Sequence, residues 1–212
     1  MSEQTRRTAL ITGASAGIGK ALADVFAQHG FDLVLTARRE DRLQALADDL
    51  SARYGVRTHC IVADLARQGE AEKICEHMAA AGLAIDALVN NAGYGVPGNY
   101  RATTWRQQED FIQVMVTAVC ELTHRLLPGM VERRYGRIVN IASVAGLTPA
   151  PAGHTLYGAS KAFMIKFTRR SRRKRGSTAS TRPPSAPALL TASSTTSPGP
   201  ASRCAGCRRG CG

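Results

Sequence analysis

From Thr8 to Phe167, short apolar runs alternate with longer segments whose apolar positions recur every three or four residues. The short runs predict strands at Thr8–Thr12, Asp32–Thr36, Thr58–Val62, Ala87–Val89 and Gly136–Ile141. The longer segments predict helices at Gly17–His29, Arg42–Tyr54, Glu70–Ala81, Trp105–Met130 and Thr155–Phe167. Strands that alternate with helices of this length indicate an α/β fold, with a doubly wound parallel sheet covered on both faces.

The alternation stops after Thr168, where the composition of the chain changes. Residues 169–212 contain ten of the 28 Lys and Arg residues and none of the 16 Asp and Glu residues. Leu189 and Leu190 are the only large apolar residues of this segment. A segment of this kind buries too little apolar surface to offset the entropy lost on ordering. We therefore predict one domain over residues 1–168 and a disordered basic tail over residues 169–212.

The net charge of +12 suggests nucleic acid or an anionic membrane as a partner. Almost all of that charge belongs to the tail, and no aromatic side chains interleave with the basic residues of Arg169–Arg175. We expect only unspecific attraction to phosphate there. No stretch reaches the roughly 18 apolar residues of a membrane span, and no secretory signal precedes Thr8, so we expect a cytosolic protein. We also expect no metal site, because Cys204, Cys207 and Cys211 lack the fourth ligand of a closed zinc site.

A glycine-rich turn lies between the first predicted strand and the first predicted helix, in Thr12-Gly13-Ala14-Ser15-Ala16-Gly17-Ile18-Gly19. Glycines allow a tight turn and a close approach to phosphate, and the helix N-terminus offers unpaired N–H groups. The spacing Gly-x3-Gly-x-Gly differs from the commoner dinucleotide motif, so a plain tight turn is the alternative interpretation.

The end of the second predicted strand distinguishes the two nicotinamide cofactors. An acidic residue there binds the ribose 2′-hydroxyl of NAD, whereas a basic residue accepts the 2′-phosphate of NADP. Arg38 and Arg39 occupy this place, and the first carboxylate is that of Glu40. This favours NADP over NAD, and two solvated loop arginines are the alternative.

Three further motifs complete a set. Asn90-Asn91-Ala92-Gly93 follows the fourth predicted strand, Ser143 follows the fifth, and Tyr157-Gly158-Ala159-Ser160-Lys161 begins fourteen residues later. With the glycine-rich turn, this set resembles the short-chain dehydrogenase/reductase family over about residues 6–168. The resemblance implies a Rossmann-like fold and an NADP-dependent oxidoreductase that transfers a hydride between the cofactor and a small alcohol or carbonyl substrate.

The catalytic residues implied by the resemblance are Ser143, Tyr157 and Lys161. A helix places Tyr157 and Lys161 on one face, because they are four residues apart. The lysine ammonium would lower the pKa of the phenol from about 10, which lets it exchange a proton with the substrate oxygen. Ser143 would hydrogen-bond the same oxygen.

The resemblance also implies which residues contact the cofactor. Asp64 and Leu65 should lie near the adenine ring, and the other expected contacts are Gly13, Ser15, Gly17, Ile18, Gly19, Arg38, Arg39, Asn91, Ala92 and Gly93. The segments Tyr94–Thr104 and Leu147–Pro151 should border the substrate. Their apolar residues, Tyr94, Val96, Tyr100 and Leu147, indicate an apolar substrate or, alternatively, loop packing.

The sequence departs from the family pattern at two places. Met115 stands where the family usually has an asparagine that helps to hold a water molecule of the proton relay, and a thioether cannot donate a hydrogen bond. The second departure is the tail, in which the sixth strand, the Pro-Gly loop beside the nicotinamide and the seventh strand are not recognisable.

We propose that a shifted reading frame produced the tail. One possible set of codons for Arg169–Lys174, read with a preceding G, gives Glu-Ala-Leu-Ala-Ala-Glu, which continues the helix. With suitable codons the same shift can turn Ser177–Pro184 into Val-His-Gly-Ile-His-Ala-Thr-Ala and Ala186–Leu189 into Cys-Pro-Gly-Phe, which resemble the missing strand and loop. We therefore expect a truncated family domain with weak or absent turnover. The alternatives are a non-catalytic dinucleotide-binding remnant and nucleic-acid binding through the tail. Family members often pair through the long helix and the Tyr-bearing helix, but truncation leaves a homo-oligomer in doubt.

Overall fold

The computed structural model describes residues 6–149, 155–170 and 188–194. The strands are β1 (Thr8–Thr12), β2 (Asp32–Ala37), β3 (Thr58–Val62), β4 (Ala87–Asn90), β5 (Arg137–Ser143) and β6 (Ala188–Ser194). The helices are α1 (Gly17–Gln28), α2 (Glu40–Tyr54), α3 (Glu70–Ala80), α4 (Trp105–Ile112), α5 (Ala118–Glu132) and α6 (Tyr157–Arg170). Every predicted strand and helix is present, with ends shifted by less than one helical turn.

The strands form one sheet in the order β3-β2-β1-β4-β5-β6, and every described pairing is parallel. The chain runs outward from β1 to β3, then returns to the other side of β1 and continues outward through β4. The carboxyl ends of β1 and β4 therefore meet at the point where the strand order reverses, which is where open α/β sheets bind ligands. The predicted Rossmann-like doubly wound fold is confirmed.

Helices cover both faces of the sheet because successive strand residues point to opposite sides. Leu10 and Leu88 belong to a core that includes Phe111 and other side chains of α3 to α6. Ile11 belongs to the opposite core, where Leu43 and its neighbours from α1 and α2 pack. These five side chains are fully buried, and each such burial contributes about 1.5–3 kcal/mol.

The long predicted helix from Trp105 is divided in the structure by a turn of π-helix at Gln113–Thr117, between α4 and α5. Its start is fixed by a capping box, in which Thr104 and Gln107 bond reciprocally through side chains and backbone N–H groups. The whole span Trp105–Glu132 is long and apolar enough to cross a membrane by length and composition. Core helices pass the same test, and Met115 in the π turn is fully buried.

No strand after β5 is recognisable in the sequence, but residues 188–194 of the predicted tail form β6. β6 pairs with β5 in parallel along its whole length, from Arg137 opposite Ala188 to Ser143 opposite Ser194. Backbone groups make this pairing, so it needs no apolar pattern that sequence analysis would detect. The rest of the predicted tail, residues 171–187 and 195–212, lies outside the described residues, as do the frame-shifted equivalent of the missing strand and the terminal cysteines.

Candidate active site

The glycine-rich turn at the end of β1 is shaped by close backbone contacts. Gly13 has a φ of +67°, which favours glycine, and a Cβ there would lie 2.9 Å from Ala92 Cα. A Cβ on Gly19 would meet the Gly13 carbonyl oxygen and the Asn91 amide nitrogen. At Gly17, by contrast, an added Cβ would meet nothing within 4 Å, so the backbone at the N-terminus of α1 is open and forms a cradle that suits a phosphate group.

Thr12 joins this turn to the loop after β4, a role that no sequence motif indicates. Its Oγ1 accepts hydrogen bonds from the backbone N–H groups of Asn91 and Ala92, both at 3.0 Å, and donates to Val89 O at 3.2 Å. Asn91 Nδ2 donates in return to Thr12 O at 2.9 Å and to Gly13 O at 3.3 Å. The two predicted cofactor-binding segments thus form one rigid unit, and Asn91 lines the cleft while it fixes the turn.

One end of the cleft collects the residues predicted to bind the adenosine half of a dinucleotide. A cavity of about 390 Å³ is lined by Gly13, Ser15, Arg38, Arg39, Asp64, Leu65, Ala92 and Gly93, all of them predicted. Arg39 Nη2 donates to Ser15 Oγ at 3.2 Å, so the guanidinium reaches over the glycine-rich turn. Tyr94, Asp110 and Val114 also line this cavity. The sequence gives no motif that would place the last two there.

The other end of the cleft, a cavity of about 580 Å³, contains two of the predicted catalytic residues. Tyr157 and Lys161 line it together with Gly17, Ile18 and Asn91. Both cavities share Gly13, Ser15, Arg39, Ala92, Gly93 and Tyr94, so they form one continuous cleft along the carboxyl ends of the strands.

Lys161 lies beneath Tyr157 on α6. Its Nζ is 5.6 Å from the centre of the Tyr157 ring, and it donates to Ile141 O at 2.6 Å and towards Met164 Sδ at 3.7 Å. The lysine side chain is nearly fully buried, and this burial lowers its pKa from 10.5 to about 8. The ammonium is thus close enough to the Tyr157 ring for a cation–π contact.

Ser143 ends β5 and begins the turn that packs against α6. Its Oγ accepts a hydrogen bond from Ala145 N at 3.3 Å. A Cβ on Gly146, in the same turn, would lie 2.6 Å from backbone atoms of Lys161 and Ala162. This close approach brings the end of β5 against the helix that carries Tyr157 and Lys161.

Met115 lies directly beneath the cofactor loop. Its Sδ is 2.7 Å from the place that a Cβ on Gly93 would take. The thioether is fully buried and packs against Gly93, and the match of Met115 to the family's asparagine position stays a prediction. Among the described residues, no group of three or more His, Cys, Asp or Glu side chains is arranged to hold a metal ion.

Comparison with known proteins agrees with this geometry. The family model described as short chain dehydrogenase matches residues 7–179. The very-long-chain 3-oxoacyl-CoA reductase of Anas platyrhynchos is 41% identical over 167 residues, which cover 76% of this chain and 52% of that protein. The chain thus spans about half the length of that relative.

Two examples illustrate the similarity of this chain to solved structures. A short-chain dehydrogenase from Sphingobium yanoikuyae in complex with NADPH has a TM-score of 0.72 and 38% identity, over 77% of this chain and 63% of that one. The bulky-bulky ketone specific alcohol dehydrogenase from Comamonas testosteroni has a TM-score of 0.78 and 32% identity, over 88% of this chain and 72% of that one.

Proposed function

Because the chain belongs to the short-chain dehydrogenase family, we propose that it is an NADP-dependent oxidoreductase that transfers a hydride between its cofactor and an alcohol or carbonyl substrate. The observation that carries the proposal is the single cleft with Tyr157 and Lys161 at one end and the glycine-rich turn with Arg39 at the other. NADP, when bound, supplies or accepts the hydride.

The residues of the chain handle the proton and the charge on the substrate oxygen. Tyr157 Oη donates a proton to that oxygen in the reducing direction and accepts one in the oxidising direction. The Lys161 ammonium stabilises the phenolate left on Tyr157. Ser143 hydrogen-bonds the same oxygen and stabilises negative charge on it. Met115 offers only a weak acceptor, so the proton that returns to Tyr157 does not pass through this side chain.

A comparison of Tyr157→Phe with the native chain tests this chemistry. The variant should bind NADPH as tightly as the native chain, measured by cofactor fluorescence, and should lose all turnover with carbonyl substrates. Tyr94→Phe, in the same cleft, makes the same chemical change and should keep turnover. Native-like turnover by Tyr157→Phe would contradict the assigned role.

The preference for NADP rests on the two arginines after β2. Arg39 already reaches Ser15 at the phosphate cradle, and Arg38 lines the same cavity. Since an arginine guanidinium binds phosphate through charge-assisted hydrogen bonds, Arg39→Ser should weaken NADPH binding about tenfold or more and leave NADH binding nearly unchanged. Equal losses for both cofactors would contradict selection through the 2′-phosphate.

The proposed substrate is a carbonyl compound with an apolar substituent. Of the four apolar residues expected at the substrate side, Val96 is buried at 7% exposure, so its role is loop packing. Leu147 and Tyr94 are 65% and 39% exposed, and Leu147 follows the turn that Ser143 begins. Leu147→Ser should lower kcat/KM for a bulky apolar ketone about tenfold relative to a small hydroxylated ketone. An unchanged ratio would contradict the apolar assignment.

Reduced turnover remains a prediction from the tail, since the Pro-Gly loop and the substrate-covering segment are not recognisable in the sequence.

The second candidate function, a dinucleotide-binding domain without catalysis, is favoured by one observation: the adenosine end of the cleft is formed entirely by residues 13–114. NADPH binding without turnover on a panel of carbonyl compounds would support it. The cytosolic location, the oligomeric state and the absence of a nucleic-acid role stay predictions.

A further inference from the structure

A chain of buried polar side chains crosses the core behind the cleft. Asn90 Nδ2, at the end of β4, donates to Asn140 Oδ1 at 2.8 Å and to Thr123 Oγ1 at 3.3 Å. Asn140 Nδ2 donates to Thr168 Oγ1 at 3.0 Å, and the Thr168 hydroxyl donates to Met164 O at 2.7 Å. The four polar side chains, Asn90, Asn140, Thr123 and Thr168, are all at most 5% exposed.

Filling a core with a network of polar side chains is energetically unfavourable compared with filling it with apolar ones. Burying an amide or a hydroxyl costs free energy unless its hydrogen bonds are made, and apolar side chains of similar size avoid that cost. Asn90 Oδ1 is buried without a hydrogen-bond partner in the structure. A network that is kept despite this cost specifies one arrangement of the elements that it joins. Here it joins β4, α5, β5 and α6.

The network reaches α6 on the stripe of the helix that carries the catalytic lysine. Thr168 follows Lys161 by seven residues, which is two helical turns, so both side chains lie on the same face of α6. Their partners are neighbours on β5, since Lys161 bonds to Ile141 O and Thr168 bonds to Asn140. Strand and helix are thus joined at two points two turns apart.

The contacts of Lys161 and Thr168 with β5 differ in whether they take part in the proposed reaction. Under the proposed function, the Lys161 ammonium interacts with the phenolate and the cofactor, while another of its three N–H groups donates to Ile141 O. Thr168 lines neither cavity of the cleft and takes no part in that chemistry. We propose that Asn140 and Thr168 form the anchor that sets the position of α6 along β5 and thereby holds Tyr157 and Lys161 in place. The proposal rests on the proposed function only because it treats Tyr157 and Lys161 as the catalytic residues.

Two matched variants of the full chain test the anchor. Thr168→Val and Thr123→Val make the same change of a buried threonine, and each removes a hydroxyl that accepts a hydrogen bond from an asparagine of the network. Both should lower the midpoint of unfolding in urea. Only Thr168→Val should change the surroundings of Lys161, because only Thr168 lies on α6.

The distinguishing measurement is the titration of Lys161, followed by NMR of ε-13C-labelled lysine and assigned with Lys161→Met. The native side chain should titrate near pH 8 because it is buried. Thr168→Val should raise this midpoint by one unit or more towards 10.5, a tenfold change in proton affinity, since a displaced helix admits water to Nζ. Thr123→Val and Thr168→Ser should titrate like the native chain.

Equal titration midpoints of Lys161 in Thr168→Val and Thr123→Val would overturn the anchor and leave the network a purely structural feature. If Thr168→Val does not fold, Thr168→Cys replaces it, and the weaker thiol acceptor should still raise the midpoint by about half a unit; an unshifted midpoint overturns the proposal. A native chain that binds no NADPH contradicts the proposed function instead, and the Lys161 titration is read independently of that result.

Discussion

Replacing Lys161 with methionine should stabilise the domain at neutral pH and destabilise it at high pH. Burial lowers the pKa of this lysine from 10.5 to about 8, whereas the unfolded chain restores the ordinary value. At roughly 1.4 kcal/mol per pKa unit, the buried ammonium costs the folded state about 3 kcal/mol. Below pH 8 both states carry the charge, so the whole cost is present. Between pH 8 and 10.5 the folded state releases its proton first and the cost fades, and above 10.5 it is absent.

The hydrogen bond from Nζ to Ile141 O sets the size of the opposing effect. Methionine has a similar length but no donor, so Lys161→Met leaves that buried carbonyl without this partner, at a cost of about 1 kcal/mol at any pH. The variant should therefore be about 2 kcal/mol more stable than the native chain at pH 7 and about 1 kcal/mol less stable above pH 10.5. The two stability curves should cross between pH 8 and 10.5.

Urea denaturation, followed by circular dichroism at several pH values from 7 to 10.5, measures this difference. Lys166→Met is the matched control, because Lys166 lies on the same helix and is exposed. Its stability should run parallel to that of the native chain across the whole range. A Lys161→Met variant that is less stable at pH 7, or whose curve never crosses the native one, would refute the reasoning that the buried ammonium destabilises the fold.

Two further substitutions and one sequencing experiment give additional predictions. Gly19→Ala should lower the free energy of unfolding by about 1–3 kcal/mol and weaken NADPH binding, because its methyl group overlaps the Gly13 carbonyl; Gly129→Ala in α5, where the methyl group meets only the end of the flexible Arg133 side chain, should do neither. Asp32→Asn should cost about 2 kcal/mol in urea denaturation, since the buried carboxylate binds Arg57 through its backbone N–H and its guanidinium; an unchanged midpoint would contradict this. Sequencing the coding DNA should reveal a single-base change near the codons for residues 168 and 169 that restores an open frame, and its absence would refute the frame shift.

The sequence predicts those parts of the fold in which periodicity and chemistry coincide. The five predicted strands are apolar runs, and the motif residues Gly13, Tyr157 and Lys161 follow them at places where parallel strands end at a common edge. Since the topology of an α/β sheet is nearly fixed once strands and helices alternate, the cleft follows from the motifs.

Features that depend on side-chain packing or on backbone pairing could not be predicted. The π turn at Gln113–Thr117 leaves no mark on the apolar periodicity of the long helix, and Asp110 and Val114 reach the cleft only because of how that helix lies. The hydrogen bond between Asn140 and Thr168 joins residues 28 positions apart, and their polarity alone does not indicate that they contact each other. β6 was missed because its residues carry no strand pattern.

The pairing of β6 with β5 has a consequence for how well the fold tolerates changes in the amino-acid sequence of β6. Proline cannot donate to a ladder, and Ala188–Ser194 lies within a stretch without proline between Pro187 and Pro198. Because β6 pairs with β5 through main-chain amides, the pairing depends little on which side chains β6 carries. Substitutions in β6 should therefore be tolerated better than substitutions of Gly13 or Gly19, where an added Cβ would meet neighbouring backbone atoms.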